Sequence, residues 1–249
     1  PNQWVATALL ARVYLYQGSW ELAEQESNSI INHTALFQLE TNLQNDFLKE
    51  SPSTIWQLKP KSQGFNTNEA STFIFNSGPP PFLALSQNFM DSMDDGDLRK
   101  TYLTKEVTNG INSWYYPYKY KYNENTGTSL EYSIVFRLSE QYLIRAEARA
   151  MQNNISDALE DINTIHNRAG LSDVSASSQD DLRVLIFKER NVELFSEHGH
   201  RWFDMKRMGF VEALLEPLKP GWTTNNVHLP IPEAEILINP NLNPQNAGY

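Results

Sequence analysis

Two stretches of this chain share one spacing of small residues, and that spacing limits what the chain can fold into more than any other feature. In the first 32 residues, ATALLARVYLYQ and WELAEQESNSII are broken at Gly18-Ser19, and Ala11, Tyr14, Gly18, Trp20 and Ala23 run in the order small, aromatic, glycine, aromatic, alanine. Alanines at facing positions let two antiparallel helices touch, while Tyr14 and Trp20 fill the spaces beside them. A degenerate copy appears in LSEQYLIRAEARAMQNNISDALEDINTIHNRAG, with Ala146 and Ala158 at the equivalent small positions around an Asn153-Asn154 turn. A chain carrying two such pairs is built on helices.

The spacing is that of a tetratricopeptide helix pair. Ala158 falls 135 residues after Ala23, so the pairs are not tandem repeats and a long non-repetitive excursion separates them. The expected fold is mainly α: tetratricopeptide-like helix pairs with a long irregular insertion containing short strands. Residues 1–35 form the first hairpin, 54–136 the excursion, and 137–249 the C-terminal helices and a Pro/Asn-rich tail, together one partial domain. Within the excursion, TIWQLKP, STFIFN and WYYPYKYKY read as extended runs and LSQNFMDSM as a short helix, with Gly78-Pro79-Pro80-Pro81 as punctuation. Loops this long are functional or disordered, and the aromatic content argues against disorder. After it, a helix from Gln179 to Glu197 precedes a shorter one through HRWFDMKRMGFVEALL.

Composition removes whole classes of function. The formal net charge of −10 and the lack of a clustered Lys/Arg stripe argue against a nucleic-acid partner. With no cysteine, the chain has no disulfide, no thiolate metal site and no cysteine nucleophile. No apolar run approaches the roughly 20 residues a membrane-spanning helix needs. The helical pattern starts abruptly at Trp4, which reads as part of something longer.

The densest motif is Glu189-Arg190 with Glu193, Glu197 and Arg201-Trp202-Phe203-Asp204. The three glutamates recur every four residues along one helical face, and the reading is a structural ion-pair network with Arg190, Arg201 and Arg207 as partners. A carboxylate pair for glycoside hydrolysis is the alternative. Trp202 and Phe203 read as core. His198 and His200 flank Gly199 and read as a capped helix end, against a metal pair. The run Asp91 to Asp97 fails as a calcium loop, because with Gly96 in sixth place Met93 and Tyr102 fall where oxygen ligands are required. No phosphate loop, Gly-x-Ser-x-Gly elbow or His-Glu-x-x-His motif is present, so the enzyme hypothesis has no nucleophile.

Aromatic faces ringed by amides suit sugars, whose C–H surfaces stack and whose hydroxyls hydrogen-bond. Six of the nine residues from Trp114 to Tyr122 are aromatic. Tyr116, Tyr118, Tyr120 and Tyr122 alternate at strand period, which puts all four on one face and reads as core. Trp114 and Tyr115 follow the turn-like Asn109-Gly110-Ile111-Asn112-Ser113 and are candidate ligand contacts at a loop tip, together with Phe65, Asn66 and Asn68. Trp222, after Pro220-Gly221, is a further candidate.

The successive runs RLSEQYLIRAEARA, ALEDINTIHNRAGL, IFKERNVELFSEHGHRWFDMKRMG and LPIPEAEILINPNLNPQNAGY resemble the signatures of the SusD/RagB family, in order and spacing. ALLARVYLYQGSWELAEQ resembles the family's tetratricopeptide-like segment, so the likeness covers nearly the whole chain and is weakest between Lys59 and Asn112. It implies a surface-exposed outer-membrane lipoprotein of Bacteroidetes, the C-terminal part of a longer chain whose lipid anchor lies outside this stretch. It implies a binding protein, not an enzyme, that needs no cofactor, captures a glycan and delivers it to a SusC-type TonB-dependent transporter. By the same likeness, DGDLR is a turn after a helix in which Arg99 pairs with an aspartate, and Lys119-Tyr120 is structural. A peptide-binding member of the family and a helical-repeat scaffold for protein partners are the alternatives.

Overall fold

The computed structural model describes residues 2–249. The chain divides into two compact units, residues 1–198 and residues 199–249.

The first unit opens with α1 (Gln3–Gln17) and α2 (Trp20–Ile31). The Asn2 side chain caps α1 by accepting from the Val5 N–H at 3.2 Å. Gly18 takes a left-handed conformation at φ 73°, and the Gly18 and Ser19 N–H groups close back on Leu15 and Tyr14. This is the terminator that lets the chain reverse within two residues. The second pair, α6 (Leu138–Met151) and α7 (Ile155–Arg168), reverses at Asn153, which also sits at positive φ. The four expected alanines, Ala11, Ala23, Ala146 and Ala158, have no solvent exposure. Small side chains there bring the pairs together in one cluster of Ala11, Leu15, Ala23, Ile144 and Ala148.

Helix α6 is central and carries polar residues into the core with their partners. Arg145 bonds Asp161 on α7 at 2.6 Å and Asn28 on α2 at 2.6 Å. Arg149 joins Glu24 on α2 and Asp161, each at 2.9 Å. Buried polar groups persist only when satisfied in this way. Helix α8 (Gln179–Glu193), capped by Ser178, packs on α6 and α7. It stops at Glu193, short of the expected Glu197, because Ser196, His198 and Gly199 all take positive φ, which a helix cannot continue.

The excursion is clasped at its base. Strands β1 (Thr54–Leu58) and β4 (Ser133–Arg137) pair antiparallel, with Thr54 opposite Arg137 and Leu58 opposite Ser133. Between them lie α3 (Asn68–Phe73), α4 (Gln87–Asp91), α5 (Leu98–Tyr102) and the hairpin of β2 (Thr104–Thr108) with β3 (Ser113–Pro117). Phe47, Phe89, Met90, Tyr120 and Phe195 are among the residues of its core.

Two expectations need correction. STFIFN is not extended as a whole: α3 runs through Phe73, started by Thr67, whose hydroxyl accepts from the Ala70 N–H at 3.1 Å. The four alternating tyrosines do not share one core face, since β3 ends at Pro117; Tyr116 and Tyr120 are buried, Tyr118 half-buried and Tyr122 exposed. Helix α5 carries no apolar periodicity in the sequence, and it is set by Asp97, whose carboxylate accepts from the Arg99 N–H at 2.8 Å.

The second unit contains α9 (His200–Met208), α10 (Val211–Leu215) and α11 (Glu233–Ile238), with short 3-10 turns at Thr224–Val227 and Pro240–Leu242. Trp202 and Phe203 do not form a buried core there: Trp202 is half-buried and Phe203 is 48% exposed. Both lie on a helix of nine residues, too short to enclose them. Among the described residues, no helix is long and apolar enough to cross a membrane.

Candidate functional site

Below the excursion, the glutamate motif forms a buried ion cluster. Arg99 reaches Asp97 at 2.9 Å, Glu189 at 2.5 Å and Glu193 at 3.0 Å. Arg137 holds Glu193 and Glu197, Arg168 bonds Glu193 at 2.6 Å, and Lys119 bonds Glu197. His166 Nδ1 lies 2.8 Å from Glu189. A network is present as the spacing suggested; Arg99, Arg137, Arg168 and Lys119 are cations on its glutamates, and the expected Arg207 pairs with Asp204 of the same motif at 2.7 Å. Burial alone would raise the Glu197 carboxyl; Arg137 and Lys119 outweigh it and hold that group at about 2. Burial lowers the Lys119 ammonium to about 8 despite Glu197. Tyr120 completes the Lys119-Tyr120 pair, its hydroxyl accepting from the Ile134 N–H at 2.8 Å.

Above this floor, the end of β1, the loop from Lys59 to Gly64 and the turn from Tyr122 to Tyr132 enclose a groove. Its middle is a cleft of about 400 Å³ whose walls include Phe65, Asn68, Tyr122 and Asn123. A second cleft of about 330 Å³ shares Leu58, Asn68 and Ser133 with it, and a third of about 330 Å³ shares Lys59, Pro60 and Lys61. The three are therefore neighbours with shared walls. Such a shape receives an extended chain better than a compact molecule.

The wall is held by specific bonds. Gly64 sits at φ +78°, and a Cβ there would run into Asn125 Oδ1, so only glycine lets the two loops press together. Asn66 bridges them. Its Oδ1 accepts from the Leu130 N–H at 2.8 Å and the Glu131 N–H at 3.1 Å, while its Nδ2 donates to the Glu124 carbonyl and Thr126 Oγ1, each at 3.0 Å. That uses the full hydrogen-bonding capacity of the amide donors and both acceptor positions. Glu131, buried beneath, accepts from the Lys121 and Tyr122 N–H groups, at 2.8 and 3.2 Å, which fixes the direction of Tyr122. Burial raises the Glu131 carboxyl even so.

Of the residues singled out in the sequence, Phe65, Asn66 and Asn68 come together in the groove, where Phe65 is 53% exposed and Asn68 is exposed. Trp114 and Tyr115 do not join them. They stand on β3, outside the groove walls, and the Trp114 ring lies so close over Gly78 that a Cβ there would overlap it. Trp114 is therefore half-buried and not a bare ring at a loop tip. Sequence reasoning missed Tyr122 and Tyr132 as wall residues, because only the pairing of distant loops brings them beside Phe65 and Lys59. His198 borders one cleft, its Nε2 donating to the Ile134 carbonyl at 2.9 Å. In the second unit, Trp222 lines a separate cavity of about 540 Å³ with Trp202 and Tyr249.

The model of the SusD family matches residues 27–226. SusD-like protein P2 of Formosa agariphila is 29% identical over an alignment that covers all of this chain and 60% of that protein. The chain thus spans about three-fifths of the length of that relative. Among solved structures, a SusD superfamily protein from Bacteroides vulgatus superposes with a TM-score of 0.77 at 20% identity, covering 100% of this chain and 63% of the other. Surface glycan-binding protein A from Bacteroides thetaiotaomicron, solved in complex with laminarihexaose, superposes at 0.78 with 19% identity, covering 99% and 64%. At such identities the superpositions establish the fold, and the family match extends over four-fifths of the sequence. By that match the chain belongs to the SusD family.

Proposed function

We propose that this chain is the glycan-binding part of a cell-surface SusD-like protein, which captures an oligosaccharide or polysaccharide and delivers it to a SusC-type TonB-dependent outer-membrane transporter. The observation that carries the reading is the row of three neighbouring clefts at the end of β1, which offers an exposed phenyl face at Phe65 and amides and hydroxyls at Asn68, Asn123 and Ser62. Stacking on a flat ring with hydrogen bonds at its edge is what a sugar requires. Phe65 and Asn68 touch the ligand in this reading, with Tyr122 and Tyr132 beside them, and Asn66 holds the wall. Trp114 and Tyr115, outside the groove, pass their expected sugar contacts to those tyrosines.

Binding without turnover is the chemistry proposed, with no cofactor. Of the carboxylates a glycosidase would need, Glu189 and Glu193 are buried and Glu197 is half-buried, and all three are held by arginines or Lys119. The partner transporter, surface exposure on the outer membrane and a lipid anchor outside this chain are supported by membership of the family. Calorimetry with laminarihexaose and a panel of other oligosaccharides tests the site: Phe65→Ala and Asn68→Ala should each weaken whichever glycan binds. Recovery from native outer membranes without a TonB-dependent transporter would refute the partnership.

A further inference from the structure

The cleft at the Lys59 end of the groove differs from the other two in its charge. Lys59 and Lys61 are its only charged lining residues, and around them stand Gln63, Thr128, Ser129 and Tyr132. Both lysines are exposed. Lys49, Lys119 and Lys188 have carboxylates to pair with, but among the described residues Lys59 and Lys61 have none. The chain carries a formal net charge of −10, so its general field repels anions, and two unpaired ammonium groups flanking one proline reverse that locally. No carboxylate lines this cleft, although both lysines also line the adjoining one with Glu124. Glu124 lines only the adjoining 400 Å³ cleft, Glu69 accepts from Ser133 Oγ at 2.8 Å, and Glu131 is buried under Lys121 and Tyr122. At about 330 Å³ the cleft is within the range of small-ligand sites, about 300–1,000 Å³.

We propose that this cleft is an acidic-sugar subsite, in which Lys59 and Lys61 receive a carboxylate or sulfate group carried by the glycan. This rests on the reading of the groove as a glycan site. A neutral sugar would satisfy Gln63, Thr128 and Ser129 and leave both ammonium groups to water. An acidic sugar uses all of them. The interaction is exposed, so salt weakens it within a Debye length of about 8–10 Å.

Calorimetry at low and at moderate salt compares four probes: laminarihexaose, an oligogalacturonate, a sulfated galactan oligosaccharide, and polyglutamate as an anion without sugar. The expected result is that one acidic oligosaccharide binds more tightly than laminarihexaose. The double variant Lys59→Gln/Lys61→Gln should lower that affinity roughly fivefold, the combined effect of two exposed ion pairs, and abolish its salt dependence. The arm that binds, uronate or sulfate, names the anion. Laminarihexaose binding that equals or exceeds both acidic probes and is untouched by the double variant overturns the subsite and leaves the groove reading standing. Polyglutamate binding as tightly as the acidic sugars also overturns it. If no oligosaccharide binds and Phe65→Ala changes nothing, both the groove and the subsite fail.

Discussion

Arg137, the last residue of β4, reaches across to Glu193, the last residue of α8, so the clasp at the base of the excursion is bolted to the helical scaffold by one buried guanidinium–carboxylate pair. The same guanidinium also holds Glu197 at 2.9 Å. Arg99 and Lys119 add further ion pairs from the excursion to Glu189, Glu193 and Glu197, so Arg137 is one member of a shared electrostatic joint.

Removing Arg137 leaves Glu193 to Arg99 and Arg168 and Glu197 to Lys119, so the buried cluster loses one cation and keeps an excess of negative charge. Arg137→Ala should destabilise the first unit by about 3–5 kcal/mol, the cost of breaking a buried pair, while Lys188→Ala at its exposed bond to Asp94 should change stability by less than about 1 kcal/mol. Urea denaturation of the two variants separates these values.

The cluster also sets how stability depends on pH. The Glu197 carboxyl is held at about 2 in the folded chain against an ordinary value of 4.5. A depressed carboxyl stabilises fully above its unfolded value, and that contribution is lost as pH falls from about 4.5 towards 2. Glu193 acts in the same direction. Lys119 gives a slope of the same sign in a higher window: its folded value of about 8 lies below 10.5, so the unfolded chain binds more protons between them and stability rises with pH there as well. Thermal melts from pH 2 to 10 should show both trends, and Glu197→Gln should flatten the acid limb.

Asn66 and Phe65 are neighbours with separable roles. Asn66→Ala removes four bonds between two loops and should cost about 1–3 kcal/mol of stability, along with groove binding. Phe65→Ala removes an exposed ring and should leave the melting temperature nearly unchanged while weakening glycan binding by about 1–2 kcal/mol. Melting and calorimetry on the same two samples make the comparison.

Trp114→Ala should show the reverse pattern. The ring covers Gly78 and is half-buried, so its loss should cost about 1–2 kcal/mol of stability and leave binding of a hexasaccharide per folded molecule intact. Unchanged melting with lost binding would move the site to the β2–β3 hairpin.

Helix α1 is apolar on more than its packed side. Leu9, Leu10, Val13 and Tyr16 are between 38% and 49% exposed, while Ala8, Ala11 and Leu15 are buried. A helix apolar all round is one that is normally covered on both sides. The isolated chain should self-associate, and Leu10→Lys with Val13→Lys should return it to a monomer by light scattering.

Some of this was legible in one dimension. The two helix pairs, their reversals at Gly18 and Asn153 and their alanine contacts follow from spacing within about 30 residues, because helix periodicity and turn chemistry are local. The pairing of Arg99 with an aspartate was local too, since Asp97 lies two residues away. The groove was not. Phe65 and Asn68 could be picked out as exposed aromatic and amide residues, but Tyr122, Tyr132 and the lysine pair became a site only when the loop after β1 met a turn some 60 residues later. Side-chain chemistry in the sequence named the kinds of contact a sugar would need. Only tertiary structure decided which of those residues stand together, and it engages the Asn66 amide in bonds between two loops and lays the Trp114 ring against Gly78.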